Sequence, residues 1–366
     1  MKIIYFFEET SSYMHQWQRV HIFDELERNG HQIEVFNPIT YSSTEEANEK
    51  LCDYLKTKSF DLFMTCVSSE IIFEETIQEV KKIGLPTLLI CFDNLHAPFM
   101  HKAIAPFFDI VWLTSQETIG MFKKWGCKNI VFQTYAANPY NFNPYWGEID
   151  NSINFIGSPY GGRVNKINKL TQSNLLCKVY SNSLVESNND KVEVVNKDYL
   201  KLLNKTLEML TFNIGRKVLY GAVKNKFFNA DNSILEHNNN LECLPSVSFL
   251  DMQKTYSSSS LSLNITELRN TYVLDTPIHK MHLRTFEIPM SGGLEIASYT
   301  EELASYFKED KEIVLYKSNE ELISKAKFYL DPKNDSLTSN MKRCARERAA
   351  AEHTWMNRFD KIFGKL

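Results

Sequence analysis

No stretch of this 366-residue sequence approaches the roughly 20 consecutive apolar residues that span a bilayer, so any membrane contact is expected to be peripheral. An excess of one charge is also missing: 41 basic and 45 acidic side chains leave a formal charge of −4, with a pI near 6.2. Without a strong global field, nucleic acid is a poor candidate partner. Paired cysteines are absent as well. Cys52, Cys66, Cys91, Cys127, Cys177, Cys243 and Cys344 are scattered and odd in number, which argues against a zinc site and for reduced thiols in a cytoplasmic protein. Several, such as Cys91 in the run LLICF, are expected to serve as small buried hydrophobes. The opening MKIIYFFEET has an apolar stretch ended by Glu8 and Glu9, too short for a signal-peptide core, and it reads as a first strand. There is no internal repeat, which excludes a solenoid or propeller. No Asp-x-Asp or His/Cys cluster is present either, so no metal is expected at the site.

What is present is apolar material: 43% hydrophobic and 13% aromatic residues, enough for a sizeable core in each of two domains. Up to about residue 145, short continuous apolar runs at 2–7, 31–36, 60–67, 86–92, 109–114 and 129–134 alternate with helical segments. That is the form of parallel strands covered on both faces and joined by crossover helices, a doubly wound α/β domain. The helical segments 17–29, 73–83 and 116–125 stop at Gly30, Gly84 and Gly126, as helices do where the chain turns left-handed. Residues 136–147 are rich in asparagine and proline without periodicity, and the domain boundary is placed there, at 146.

A second alternation starts at Ser152, with further strands expected at 175–180, 259–265, 294–297 and 312–316. Helices are expected from Val164, from Thr285, over 319–330 and over 339–362, and a terminal helical segment, 349–366, is expected to cross back to the first domain. An insertion at about 181–240 interrupts the pattern and holds one long helical stretch, 199–228. Its Lys201, Lys205, Arg216, Lys217, Lys224 and Lys226 interleave with leucines; a solvated basic face is the ordinary reading and contact with an anionic membrane the alternative.

Ligands of open parallel sheets bind beyond the carboxyl ends of the strands, which directs attention to three loops. In Gly157-Ser158-Pro159-Tyr160-Gly161-Gly162-Arg163, glycines let the backbone approach a ligand, the following helix offers unpaired amides to an anion, and Arg163 adds a charged fork. Lys166 and Lys169 follow one and two turns later. In Arg284-Thr285-Phe286-Glu287, closed by Gly292-Gly293, a carboxylate in the first turn is placed to accept bonds from ribose hydroxyls. In Phe92-Asp93-Asn94-Leu95-His96, Asp93 and His96 are candidates to position a ligand hydroxyl or take its proton; a plain loop cap is the competing role. His15, in the first strand-to-helix loop, ranks below His96.

The segments NFIGSPYGGR, SFLDMQKTYSSSSLSLNIT, RTFEIPMSGG and EHTWMNRFDKIF, in that order, resemble the C-terminal domain of CgeB-type, spore-maturation-like glycosyltransferases. The resemblance implies a GT-B fold, with two Rossmann-like doubly wound domains facing across a cleft. It implies a metal-independent glycosyltransferase that holds a nucleotide diphosphate-sugar on residues 147–348 and admits the acceptor, a saccharide, protein or lipid-linked group, on the N-terminal side. Retaining members carry a Glu-x7-Glu motif whose second glutamate falls at Glu287 and whose first falls at His279. Glu295 repeats the spacing from Glu287 but belongs to the following strand. The donor contacts implied are Gly157, Ser158, Arg163, Lys169, His279, Arg284, Thr285, Glu287, Gly292 and Gly293. Two other readings stand beside this one: a nucleotide-sugar epimerase or hydrolase on the same fold, and a non-catalytic nucleotide-sugar-binding protein.

Overall fold

Each of the six apolar runs expected in the N-terminal half forms a strand. In the computed structural model these are β1 (Lys2–Phe6), β2 (Gln32–Phe36), β3 (Leu62–Thr65), β4 (Thr87–Cys91), β5 (Ile110–Leu113) and β6 (Ile130–Phe132). They pair in the order β2-β1-β3-β4-β5-β6, parallel throughout. Strands β3, β4 and β5 are buried along their whole length, which is why they read as unbroken apolar runs and not as alternating ones. The structure describes residues 1–182, 199–227 and 234–366. They divide into two units, Met1–Asn138 with His353–Leu366, and Pro139–Glu352.

Three connections of the first unit differ from expectation. The helix expected over 17–29 begins earlier, at Tyr13–Gln18, and passes through a π turn, Arg19–Phe23, before Asp24–Arg28. That wider turn brings His21, Ile22 and Phe23 inward together, and the Asn138 side-chain amide donates to the Val20 carbonyl at 2.7 Å. A helix not anticipated covers Thr44–Thr57; Ser43 caps it by accepting from the Glu46 amide, and Ala47, Leu51 and Leu55 face the core. The helix expected over 339–362 is broken, giving Asp335–Glu352 and Trp355–Phe363.

The break has a local cause. Thr354 starts a new helix: its Oγ1 accepts from the Asn357 amide at 3.1 Å while the Asn357 Oδ1 accepts from the Thr354 amide at 3.0 Å, a reciprocal cap. The segment that follows belongs to the first unit. The Glu25 carboxylate accepts from the Trp355 and Met356 amides at 3.2 and 2.7 Å, and Arg358 donates to the carbonyls of Thr134 and Tyr135. The indole of Trp355, fully buried, lies among Trp17, Phe92, Trp112 and Tyr135. The units therefore divide at Asn138/Pro139 and Glu352/His353, and not at 146 and 348.

The second unit holds β7 (Asp150–Ile156), β8 (Cys177–Tyr180), β9 (Leu241–Leu244), β10 (Ser259–Asn264), β11 (Glu295–Ser298) and β12 (Val314–Tyr316). Their order is β12-β11-β10-β7-β8-β9, again parallel. β9 escapes the sequence pattern because it is a four-residue edge strand, half-buried and flanked by polar residues. The helix expected over 199–228 is two helices, Tyr199–Leu210 and Asn213–Phe227. Gly215 permits the turn, since a Cβ there would meet the Met209 carbonyl. The remainder of the expected insertion, 183–198 and 228–233, lies outside the described residues. From β7 the chain winds outward to β9, then returns to lay β10 on the other side of β7. The carboxyl ends of β7 and β10 thus flank the point where the strand order reverses, the position at which such sheets bind ligands.

Candidate functional site

Burial and charge concentrate at that reversal. β7 ends on Phe155 and Ile156, and Gly157 follows with φ +139, a conformation open to glycine. A Cβ at Gly157 would stand 2.7 Å from Nη2 of Arg284, so the glycine admits a guanidinium across the strand end. Nη2 of Arg284 donates to the Ile156 carbonyl at 2.6 Å and Nη1 to Asn264 Oδ1 at 3.4 Å. Its Nε is buried without a partner among the described residues. Arg163, in the first turn of helix Gly162–Gln172, donates to the Ser158 carbonyl at 2.9 Å. Its guanidinium lies 5.8 Å from the centre of the Phe155 ring, and that of Arg284 lies 5.2 Å from the same ring. Burial, and next the neighbouring Arg284 charge, push Arg163 down to about 10, still cationic at neutral pH. Neither arginine forms a salt bridge with a described residue.

Asn264, the last residue of β10, ties this pair to the sheet. Its amide donates to Thr285 Oγ1 at 3.0 Å and to Glu295 Oε1 at 2.7 Å. Glu295 opens β11 and is 1% exposed; burial raises it to about 8, against the pull of Asn264 and Arg284. It is neutral at pH 7 and acts as a fixed polar support. Glu287 sits in the short buried helix Arg284–Met290 and is 4% exposed.

A second cluster lies in the loop after β10. Glu267, half-buried as a residue with its side chain 8% exposed, is 2.7 Å from Lys166 Nζ, accepts from Ser298 Oγ at 3.3 Å, and keeps Oε2 unpartnered. The excursion 268–278 leaves and rejoins at this point: Leu268 donates to Ile278 O at 2.7 Å, Lys280 to Thr266 O at 2.8 Å, and Glu267 bridges His279. His279 Nδ1 is 2.8 Å from Thr266 Oγ1, and burial lowers its basicity below the usual histidine value. An acid therefore stands beside His279. Sequence spacing passed over Glu267 because the excursion separates it from Glu287, although its place directly after an apolar strand was a legible signal.

The other expected residues divide. Gly157, Ser158, Arg163, Arg284 and Thr285 are brought together, with His279 in the adjoining cluster. Lys166, and not Lys169, is drawn toward this cluster; the charge of Lys169 reaches Glu320 on helix Asn319–Tyr329 instead. Gly292 and Gly293 close the far end of helix Arg284–Met290, and their amides already donate to Pro289 O and Ile288 O at 3.0 and 2.9 Å. They are not available to a diphosphate. Gly292 has φ +72 and packs under Pro144 and Trp146 where no Cβ fits. The Gly157 amide is likewise engaged, by the Tyr180 carbonyl at 3.0 Å, which leaves that residue a steric role.

In the first unit Asp93 and His96 follow β4. Asp93 holds a left-handed φ of +56, uncommon for a non-glycine residue, and its carboxylate accepts from Tyr135 Oη at 2.6 Å. Its carbonyl receives the His96 amide at 2.8 Å. Buried Asn94 binds the Thr114 and Ser115 amides at 3.0 and 3.1 Å and locks the loop. His96 is exposed. At β1, Thr10 Oγ1 orients His15 Nδ1 at 2.8 Å. Among the described residues no group of three or more His, Cys, Asp or Glu is placed to hold a metal ion.

Residues 232–364 match the model of the glycosyl transferase-like family. Three solved structures share the architecture. HepE from Anabaena in complex with UDP-glucose is 12% identical, with all of both chains covered and a TM-score of 0.60. Sucrose-phosphate synthase from Thermosynechococcus elongatus is 12% identical over 100% of this chain and 98% of that one, with a TM-score of 0.56. An alpha-glucosyltransferase in complex with UDP and a 13-mer DNA is 12% identical over 100% and 99%, with a TM-score of 0.59. The fold is GT-B. No curated protein matches the chain. Fold and family match together support a glycosyltransferase enzyme. No helix among the described residues is long and apolar enough to cross a membrane.

Proposed function

We propose that this GT-B glycosyltransferase, of CgeB type, takes a sugar from a nucleoside diphosphate-sugar held at the β7/β10 strand ends of the second unit. The observation that carries this reading is the pair Arg163 and Arg284, two guanidinium groups over the one Phe155 ring. Two partly desolvated like charges, neither in a salt bridge with a described residue, raise each other's energy, and a diphosphate relieves both. The same charges offset the negative charge that grows on the leaving diphosphate as the glycosidic bond breaks, which is the service a metal would otherwise give. We therefore assign a metal-independent reaction. Glu287 is assigned to the ribose. Glu267, beside His279, is assigned to the sugar hydroxyls in place of the acid absent from the motif, and on the motif's likeness we assign retention of configuration.

Asp93 and His96 are assigned to the acceptor hydroxyl, Tyr135 holding the carboxylate so that the loop keeps one geometry. The nearly balanced charge of the chain favours a saccharide, protein or lipid-linked acceptor over nucleic acid. A panel of nucleoside diphosphate-sugars, begun with UDP-glucose, tests the reading. One member should raise the melting temperature, since a ligand at a hundred times its Kd adds about 2.7 kcal/mol. It should also be hydrolysed slowly without acceptor. A chain stabilised by none of them is not a donor-binding enzyme. Stabilisation with turnover that is fast without acceptor and that no acceptor accelerates would favour an epimerase or hydrolase.

A further inference from the structure

Helices Tyr199–Leu210 and Asn213–Phe227 turn apolar stripes toward water. Asn213–Phe227 rests on the body of the second unit through its glycine face: Gly221 is buried, and a Cβ there would come 2.5 Å from the Asn270 carbonyl. Asn225 on the same side accepts from Tyr272 Oη at 3.2 Å. The opposite side carries Tyr220, Val223 and Phe227, exposed by 61, 52 and 76%. On the preceding helix Leu203, Leu207 and Leu210 are exposed by 54, 53 and 47%. Steps of three and four residues set each trio along one line of its helix. A surface helix ordinarily hides that line and shows water its charges; two neighbouring helices that expose it mark a contact surface.

The charge of the pair says what the contact is. Residues 199–227 contain six lysines and arginines and one acid, Glu208. Arg216, Lys217 and Lys226 are exposed, and Lys224 comes no nearer than 3.9 Å to Asp275, which lies outside the pair. We propose that this helical pair docks on an anionic lipid surface, its leucine and aromatic stripes entering the headgroup boundary while the basic side chains meet lipid phosphates. A second copy of the chain fits less well. A two-fold contact sets the same basic patch against itself, and like charges across an interface repel. A nucleic acid would use the cations and leave three leucines without a role.

Co-sedimentation with vesicles of phosphatidylcholine alone, and of phosphatidylcholine with about 30% phosphatidylglycerol, tests this. The chain should pellet with the mixed vesicles, remain in solution with the neutral ones, and be released as salt rises. Replacing Leu207→Ser, Tyr220→Ser and Phe227→Ser together should weaken binding about tenfold or more. So should the charge-reversed pair Lys217→Glu and Lys226→Glu, in which the apolar stripes and the fold are kept. Both variants should retain the wild-type melting temperature and circular dichroism. Wild-type chain that ignores anionic vesicles overturns the proposal, as does a triple variant that binds them equally well. A dimer in solution that the triple variant dissociates, without vesicle binding by the wild type, assigns the surface to a second copy instead.

Discussion

The two units share one kind of sheet and differ in what they place at the carboxyl ends of its strands. In the first unit those ends are packed with rings: Phe92 beside Trp17 and Tyr135, and Phe7 beside His15. The loop after β4 there is tied down through Asn94 and Tyr135. In the second unit the ends hold Arg163, Arg284, the Lys166–Glu267 pair and Glu295. Several atoms of that set are buried without partners. Rings and satisfied hydrogen bonds stabilise a fold by themselves, whereas unpaired buried charge costs stability until a ligand supplies its complement. Both sheets are six-stranded and parallel but differ in strand order; the buried charge sits in the second.

The largest effect should come from breaking the first unit's aromatic centre. Trp355→Ala removes an indole packed against five other rings and should cost about 3–5 kcal/mol, as large-to-small core changes do. Urea unfolding checks it, and a loss below about 1 kcal/mol would mean that the terminal helix is not part of that core. Nearly as large is the effect of Arg284→Ala on the second unit. Donor affinity, or kcat/KM once an acceptor is known, should fall about 100-fold or more, the usual loss when a preorganised charged donor is removed. His96→Ala is the contrast. It should lower turnover and leave donor affinity, measured by calorimetry, as it was. If His96→Ala abolishes donor binding, the division of roles between the units is wrong.

Buried charge also fixes the sign of a pH effect. Burial raises Glu295 from an ordinary 4.5 to about 8, and Glu25 to about 7. A carboxyl whose folded value is raised binds its proton more tightly in the folded chain. Its contribution to stability is complete below the ordinary value and is lost as pH rises through the folded one. The melting temperature should therefore fall between about pH 4.5 and 8, and Glu295→Gln should flatten that decline, most visibly between about pH 7 and 8, above the folded value of Glu25. A variant whose pH profile overlays the wild type would place the titration elsewhere.

Eleven of the twelve described strands were legible, the central ones because a strand covered on both faces must be apolar along its length. β9 was not, being a short edge strand with half-buried side chains. Helix ends were legible where glycine stops them: Gly30, Gly84 and Gly126 all have positive φ, from +79 to +102. The break at Thr354 was legible in principle from the Thr-x-x-Asn cap, but an unbroken helical pattern on both sides masked it. At the candidate site the loop after β7 and Arg284 could be read from position alone. Glu267 also follows an apolar strand, but its relation to His279 could not be read, because it comes from an antiparallel bridge that closes an eleven-residue excursion, 268–278. Whether an amide is free is also beyond sequence, and for Gly292 and Gly293 the helix end had already used it.

Glu267 allows a finer test of the charged set. Glu267→Gln keeps the shape of the side chain and removes the charge that faces Lys166 at 2.7 Å. If the carboxylate orders the sugar, donor-sugar affinity should fall about tenfold while affinity for the free nucleoside diphosphate changes little, the value of one charge-assisted bond. Equal losses for both ligands would make Glu267 a support for Lys166 and the helix, and not a contact of the sugar.

The smallest effect concerns the residue at which the chain leaves the second unit. Thr354 supplies one accepted hydrogen bond to the Asn357 amide, and the Glu25 carboxylate takes the two amides that precede it. Because Glu25 shares the task of satisfying this helix start, Thr354→Ala should cost about 1 kcal/mol. Thr354→Ser, which keeps the hydroxyl, should cost a few tenths at most. The measurement is the urea midpoint at unchanged slope. A Thr354→Ala loss as large as that of Trp355→Ala would mean that the whole terminal helix detaches when its cap goes. The ring cluster would then depend on the cap, and the first unit would be held at its edge and not at its centre.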